Sequence, residues 1–222
     1  MQSIKSKWVK RILVLFIVIF ISYILYLNSL VKSQFSSEIE PKANVVQIQN
    51  LIDDYPKELI NMLLLVEDQS FFNHNGVDFK EILRVLYGYL FEEKELRGAS
   101  TITQQLIKNT LLSRDKTLAR KTDEALMAIL MEMSYDKNYI LERYMNTVYL
   151  AQQGSTAIHG FASGSLHYFD KDVESLNLEE MATLVALLKG PSYYNPVNSP
   201  ERFSRRVEMI LSMHKNYKKI IQ

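Results

Sequence analysis

A long apolar run lies close to the N-terminus of the chain. Every residue from Ile12 to Leu27 (ILVLFIVIFISYILYL) is apolar or aromatic except Ser22. No acidic residue occurs before Glu38, and the cations that precede the run are Lys5, Lys7, Lys10 and Arg11. With its apolar flanks the run approaches the roughly 20 residues that a helix needs to cross a bilayer. We therefore expect one transmembrane anchor within residues 1–31.

Two other interpretations of this run stay open, a buried core helix and a cleaved signal peptide. A core helix carries polar residues along one side, and this run has none there. A signal peptide ends at small residues of the A-x-A type, whereas NSLVKSQ follows here. We expect an uncleaved anchor. Because the cations lie on its N-terminal side, we expect the N-terminus in the cytoplasm and the rest of the chain outside.

Beyond the anchor the apolar residues recur mostly with a helical period. Residues 32–54 are typical of a juxtamembrane connector with one short extended piece at Val45–Ile48. A helix should begin at Pro56, because proline suits a first helical turn. Further helices are predicted over Phe79–Phe91, from Thr101, and over Leu118–Tyr135, Lys137–Val148, Leu178–Leu188 and Pro200–Tyr217. Alternating strand patterns are nearly absent, so we predict a mainly α domain over residues 55–222.

Composition narrows the classes of function. The chain has 26 basic and 25 acidic residues, a net charge of +1, so no overall field favours nucleic acid as a partner. It has no cysteine, which excludes disulfides and thiolate metal sites. Its four histidines are scattered without an HExxH spacing, so we expect no tight zinc site.

Glu67 interrupts the apolar face of the helix that begins at Pro56. Ile60, Leu63 and Leu64 lie seven, four and three residues before it, which puts Glu67 on the face that should be buried. A carboxylate there is either paired with a partner or lies in a cleft suited to proton transfer. A third interpretation stays open, in which Glu67 ends the helix and points to solvent.

The segment RGASTITQQLIKN (Arg97–Asn109) is unusually rich in uncharged hydrogen-bonding groups. Thr101 and Gln104 have the spacing of a capping box, so a helix should begin there. Thr101, Gln105 and Lys108 then share one face, which could hold the hydroxyls of a sugar together with a phosphate. A solvated helix face explains the same pattern.

A third polar cluster occurs in the segment RKTDEALMAI. Arg120 and Glu124 are four residues apart, and Lys121 lies beside Arg120 on the same helix. The spacing alone is typical of an exposed ion pair of little net energy. The alternative is a carboxylate that holds cations ready to bind a phosphate.

Five motifs occur in order, and together they resemble one family. They are EDQSFFNHNG (Glu67–Gly76), GASTITQQLIKN (Gly98–Asn109), RKTDE (Arg120–Glu124), ILERYMN (Ile140–Asn146) and PSYYNP (Pro191–Pro196). This order resembles the peptidoglycan glycosyltransferases (glycosyltransferase family 51), which form the transglycosylase domain of class A penicillin-binding proteins and their monofunctional relatives. The resemblance covers Pro56 to Arg206. Because the chain ends soon afterwards, we expect a monofunctional enzyme.

The resemblance implies a mainly α, lysozyme-like fold and an enzyme that polymerises lipid II, a disaccharide-pentapeptide on undecaprenyl diphosphate, into β-1,4-linked glycan. Glu67 matches the general base, which takes the proton from the acceptor's 4-hydroxyl as that oxygen attacks the donor with inversion. Glu124 matches a second catalytic carboxylate, which orients the cations and helps to position the donor.

The remaining matched residues fall into groups by the role that the resemblance implies. The residues expected to line the diphosphate site are Lys108, Arg120 and Lys121. The residues expected to contact the donor's phosphates and sugar are Ser100, Thr101, Gln105 and Asn109. The residues expected to shape the cleft around the base are Asp68, Phe71 and His74. Support for the cleft is expected from Glu142, Tyr144 and Asn146.

The resemblance also implies partners and a location. The expected partners are lipid II, the growing glycan strand and the bilayer. Further candidates are division or elongation proteins and penicillin-binding proteins. Nucleic acid is not an expected partner. The apolar Phe79–Phe91 helix would dip into the outer face of a bacterial cytoplasmic membrane, and moenomycin would occupy the donor side. An ordinary core helix explains the same apolar residues of Phe79–Phe91. No metal site or tightly bound cofactor is expected, although a divalent cation (Mg²⁺ or Mn²⁺) stays open. Two alternative functions also stay open, a lysozyme-like glycan hydrolase and a non-catalytic scaffold that binds lipid II.

Overall fold

The N-terminal apolar run forms a single long helix, α1 (Gln2–Phe35), in the computed structural model of this protein. The structure describes residues 2–37, 44–92, 98–113, 115–190, 193–194 and 199–217. Between Lys7 and Phe35 the most apolar stretch of α1 has a mean hydropathy of 2.4, and only 6% of it is buried. By length and composition α1 can therefore cross a membrane. It continues to Phe35, beyond the expected end of the anchor at residue 31.

The helices that follow α1 lie where the apolar periodicity places them, with α7 as the exception. They are α2 (Lys57–Glu67), α3 (Phe79–Phe91), α4 (Ile102–Leu111), α5 (Leu118–Ser134), α6 (Lys137–Thr147), α7 (Phe161–Phe169), α8 (Leu178–Leu187) and α9 (Pro200–Asn216). Several of them begin at a side chain that accepts a hydrogen bond from the first turn, which explains where they start. These capping residues are Asp78, Thr101, Thr117, Asp136 and Asn177. Periodicity does not predict α7, because its sequence FASGSLHYF mixes glycine and serine with its apolar residues.

The C-terminal end of α1 belongs to the core of the folded domain. Leu27, Val31 and Phe35 lie on one stripe of the helix and are 2%, 0% and 3% exposed. This end of α1 packs against α4 and α5. Tyr23 adds a hydrogen bond from its hydroxyl to the Asp123 carboxylate of α5. The first residues of the predicted connector are therefore part of α1, and the helix is continuous with the domain.

The helix α2 runs through the middle of the domain core. Every residue from Leu59 to Leu65 is buried, including the polar Asn61. The helices α8 and α9 both pack against it. A helix enclosed in this way has little room to shift, because protein interiors are close-packed. The side chain at its last position, Glu67, is therefore held in place by the core.

A small sheet lies beside the helices, with three strands among the described residues. They are β1 (Val45–Gln47), β2 (Tyr149–Gln153) and β3 (Thr156–His159), in the order β1–β3–β2, with β1 parallel and β2 antiparallel to β3. The strand β1 lies within the predicted extended piece. The β2–β3 hairpin differs from the expectation, because its alternation is short and its turn depends on Gly154 at φ +59°. Gly160, at φ +83°, then approaches the Asn146 backbone so closely that a side chain would meet it at 2.6 Å.

Candidate active site

Glu67 is the last residue of α2, and its carboxylate has a polar partner near each oxygen. Gln105 Nε2 donates a hydrogen bond of 2.9 Å to Oε2, and Arg206 Nη2 lies 3.9 Å from Oε1. The Glu67 side chain is 15% exposed, so it is mostly enclosed but still reaches the surface. The interpretation that Glu67 is partnered on the buried face is confirmed. An ionised carboxylate held in this way can accept a proton from a hydroxyl that reaches its exposed edge.

Gln105 is held in turn by Tyr144. The Tyr144 hydroxyl donates to Gln105 Oε1 at 3.1 Å, and the tyrosine is only 1% exposed. Burial raises the pKa of Tyr144 well above its usual value of 10.0, and the nearby carboxylates of Glu67 and Asp68 raise it further. The phenol therefore stays protonated and can act as a donor.

Asp68, the residue after Glu67, connects three segments of the chain through its carboxylate. Its carboxylate lies 3.1 Å from His74 Nε2. It also accepts a hydrogen bond of 2.9 Å from the backbone N–H of Ile102, the first residue of α4. The end of α2, the loop that contains His74 and the start of α4 therefore share one buried carboxylate.

The loop after Asp68 is closed by Gly76 and Thr101. At φ +88° Gly76 lies against α5, where a side chain would meet the Ala128 backbone at 2.5 Å. The Thr101 hydroxyl donates to the Gly76 carbonyl at 2.6 Å and accepts from the Gln104 N–H at 3.1 Å, so the predicted capping box is confirmed. Thr101 and Phe71 are 2% and 0% exposed, so both position the segments around them. Their matched role as substrate-binding residues stays a prediction.

Next to His74 lies an ion pair that the sequence analysis does not identify. Glu132 Oε1 is 3.8 Å from His74 Nδ1 and accepts a 2.6 Å hydrogen bond from the Thr103 hydroxyl. Lys137 Nζ lies 2.6 Å from Glu132 Oε2. Glu132 comes eight residues after Glu124, and both lie on the buried face of α5. That helical spacing is the signal by which the sequence could have indicated it.

The two cations and the carboxylate at the start of α5 form a second cluster, which we call the cation cluster (Arg120, Lys121 and Glu124). Arg120 Nη1 donates to Glu124 Oε2 at 2.8 Å, and Lys121 Nζ binds the other oxygen. Lys121 also donates to the Ser100 hydroxyl at 2.8 Å. The Glu124 side chain is 2% exposed, against 18% for Arg120 and 45% for Lys121. The interpretation as an exposed ion pair is wrong for Glu124, because the carboxylate is buried and its cations reach the solvent.

The helix α4 joins the two parts of the site. Ser100, just before its first turn, binds the cation cluster, and Gln105, on its second turn, binds Glu67. Lys108 and Asn109 lie one turn further along α4, and both are exposed. The cations of α5 and the Glu67 carboxylate of α2 therefore both lie along α4. A substrate that carries an anionic group and a hydroxyl could contact both.

Arg206, from α9, is a site residue that the sequence analysis does not identify. Its Nε donates to the Ala186 carbonyl at 3.2 Å, and its guanidinium lies 5.0 Å from the centre of the Tyr194 ring. It is only 9% exposed. The available signal is that Arg206 lies four residues before Ile210 on the buried face of an amphipathic helix.

Two expectations can be placed only in part. Within the PSYYNP motif, Tyr193 and Tyr194 belong to the described residues, whereas the other four positions of Pro191–Pro196 lie outside them, as does Arg97. Among the residues that the structure describes, no group of three or more His, Asp or Glu is placed to hold a metal ion. The use of a divalent cation stays an open prediction.

Comparison with known proteins identifies the family. A family model described as transglycosylase matches residues 33–215. The chain is 43% identical over 169 residues to penicillin-binding protein 1B of Haemophilus influenzae, a match that covers 76% of the chain and 22% of that protein. It is 42% identical over 159 residues to penicillin-binding protein 1B of Escherichia coli, covering 72% of the chain and 19% of that protein. It is 45% identical over 161 residues to penicillin-binding protein 1A of Neisseria lactamica, covering 72% of the chain and 20% of that protein.

The family match contains the site described above. The chain spans about a fifth of the length of the curated relatives. The region matched by the family model begins within α1 and ends within α9, so it includes Glu67, the cation cluster and Arg206. The predicted mainly α, lysozyme-like fold class is confirmed. The chain belongs to the transglycosylase family.

Proposed function

We propose that this chain is a peptidoglycan glycosyltransferase that polymerises lipid II into β-1,4-linked glycan and releases undecaprenyl diphosphate. The observation that carries the proposal is that α4 joins a held carboxylate, Glu67, to the cation cluster. Cleavage of a neutral glycan requires carboxylates and no cations, whereas a diphosphate leaving group requires positive charge. Membership of the transglycosylase family supports the same class of reaction.

Glu67 acts as the general base in the proposed reaction. It removes the proton from the 4-hydroxyl of the acceptor's N-acetylglucosamine while that oxygen bonds to the anomeric carbon of the donor. The bond from this carbon to the diphosphate breaks in the same step, so the configuration inverts and the leaving group takes the bonding electron pair. The proton remains on Glu67 until it passes to water.

The cation cluster stabilises the negative charge of the diphosphate. Glu124 orders Arg120 and Lys121 before the substrate arrives, so little reorganisation is needed during the reaction. Because Arg120 and Lys121 are partly exposed, both can contact phosphate oxygens while they stay bound to Glu124. We assign Lys108, which is exposed on α4, as a third cation for the diphosphate.

The lipid part of this substrate favours a site at the membrane surface. The side chains of α3 expose a large apolar and aromatic surface, made by Phe79, Leu83, Leu86, Tyr87, Tyr89, Leu90 and Phe91. An apolar face of this kind can lie in the interfacial layer of a bilayer. We place it in the outer leaflet of a bacterial cytoplasmic membrane, with α1 across the membrane and its basic N-terminus inside.

Incubation of the purified chain in detergent with labelled lipid II tests this function. Polymer on a gel is the expected result, and its absence under varied detergent, with and without Mg²⁺ or Mn²⁺, would overturn the proposal. Two further arms separate the alternatives. Shortening of preformed glycan would indicate a hydrolase, and retention of lipid II without turnover would indicate a scaffold.

A further inference from the structure

The amide of Gln105 lies between an ionised carboxylate, which can only accept a hydrogen bond, and a phenol hydroxyl, which can donate or accept one. A glutamine amide has one end that only donates and one that only accepts. Nε2 faces Glu67 Oε2 at 2.9 Å, and Oε1 faces the Tyr144 hydroxyl at 3.1 Å. If the amide turned by half a rotation, its oxygen would face the carboxylate and the hydrogen bond to Glu67 would be lost. Glu67 therefore determines which end of the amide faces it, and the group bound to Oε1 holds the amide in that place.

Tyr144 has the properties of a group that fixes this orientation. It is 1% exposed on α6, so it has no access to a substrate and can act only through its neighbours. Packing of α6 against α4 holds its ring in place. Because the phenol is protonated, its hydroxyl has a proton to donate to Gln105 Oε1.

We propose that Tyr144 is a positioning residue that acts on the Glu67 carboxylate through Gln105. Its hydroxyl holds Gln105 with Nε2 toward Glu67, and this hydrogen bond fixes the rotation of the carboxylate that receives the proton. The proposal rests on the function proposed above for Glu67. The cation cluster lies on the other part of the site, so substrate binding through the diphosphate does not depend on Tyr144.

The first test is the variant Tyr144→Phe, which removes one hydroxyl and keeps the ring. We expect kcat for lipid II polymerisation to fall about tenfold, the size expected when a hydrogen bond within a charged network is lost. KM should stay unchanged, since the diphosphate contacts remain. The matched control is Tyr55→Phe, because Tyr55 is 3% exposed and donates its hydroxyl to Asn146 Oδ1 at 2.9 Å, outside this path. Its kcat should equal that of the wild type.

A double-mutant cycle separates positioning through Gln105 from a general loss of stability. In a Gln105→Ala background Tyr144 has no amide to orient, so Tyr144→Phe should lower kcat by less than about twofold. Equal losses in the two backgrounds would overturn the proposal, as would a Tyr144→Phe effect confined to KM.

A measurement independent of turnover completes the test. The side-chain NH₂ signals of Gln105 in ¹⁵N-labelled protein can be assigned by their disappearance in Gln105→Ala. We expect them to move in Tyr144→Phe and to stay in place in Tyr55→Phe. Unmoved signals in Tyr144→Phe would overturn the inference even if the enzyme polymerises lipid II. An inactive wild type would instead overturn the proposed function, while the NMR signals still decide the orientation of Gln105.

Discussion

The two carboxylates of the site, Glu67 and Glu124, are held in opposite ways. Glu67 is 15% exposed, with a neutral amide at 2.9 Å and, in the part of the chain that the structure describes, its nearest cation at 3.9 Å. Glu124 is 2% exposed and binds two cations directly. A proton acceptor needs an oxygen that is open to the incoming group, whereas a carboxylate buried between cations serves to order them. The difference in partners supports the proposed roles, proton transfer for Glu67 and ordering of the cations for Glu124.

The largest effect should come from removing the base. In Glu67→Gln the side chain keeps its size but has no basic oxygen, so we expect the polymerisation rate to fall by about 10²- to 10⁴-fold. Thermal unfolding in the same detergent should change little, because Arg206, the cation that lies near Glu67 among the described residues, is 3.9 Å from its carboxylate. A rate within tenfold of the wild type would contradict the assignment of the base.

Removing the other carboxylate should damage both activity and stability. Glu124→Gln removes the buried carboxylate that binds Arg120 and Lys121. Because both cations reach the solvent, we expect a loss of only about 1–2 kcal/mol of unfolding free energy. We expect a lower denaturation midpoint together with a raised KM for lipid II, measured in the same preparation. If Glu124→Gln lowered the rate with no change in stability, the contrast between the two carboxylates would fail.

A smaller effect should follow from changing the cation beside Glu67. In Arg206→Met the guanidinium near Oε1 is lost, and we expect kcat to fall about tenfold because the carboxylate loses a charged partner. The matched control is Arg205→Met, since Arg205 is exposed and its Nε contacts only the Glu201 carbonyl of its own helix among the bonds described. Equal rates for the two variants would show that Arg206 has no role at Glu67.

The smallest effect should come from Lys171 and Glu180, an ion pair with the same chemistry as Lys121 and Glu124. Its carboxylate is less buried, at 16% exposed against 2% for Glu124. A hydrogen bond from Lys171, and another from the Asn177 backbone, lower the pKa of Glu180 below its usual value of 4.5. A carboxyl group with a lowered pKa stabilises the folded state above pH 4.5, and this contribution disappears as the pH falls through the folded-state value. Lys171→Met should therefore reduce stability slightly at pH 7 and not at all in strong acid, as measured by denaturation at both pH values.

The sequence predicts features of this site that depend on neighbours along one helix. The burial of Glu67, the Thr101–Gln104 capping box and the contact of Arg120 with Glu124 all follow from spacings of three, four or seven residues. Gln105 is on the predicted polar face of its helix. Its distance to Glu67 depends on how α2 packs against α4, and a local sequence pattern does not predict that packing.

The missed features depend on pairing between distant segments. Arg206 reaches Glu67 from α9, and Lys137 pairs with Glu132 across the turn from α5 to α6. The β2–β3 hairpin has a similar origin, since a strand of five residues carries a weak periodic signal and is stabilised by its partner strands. In each case the feature is stabilised by a tertiary contact, so the local sequence pattern is not enough to predict it.

Because α1 and the domain share one core, the domain cannot move independently of α1. From Trp8 to Ser22, before Tyr23 contacts the domain, the helix rises about 21 Å at 1.5 Å per residue, which is less than the roughly 30 Å of bilayer hydrocarbon. Leu27 is already buried against the domain, and Tyr23 is bonded to Asp123, the residue next to Glu124. With α1 across a bilayer, the domain keeps a fixed height and cannot swing away from the lipid surface. Under the proposed function, this attachment would leave the glycan strand, and not the domain, to move between successive additions of a disaccharide.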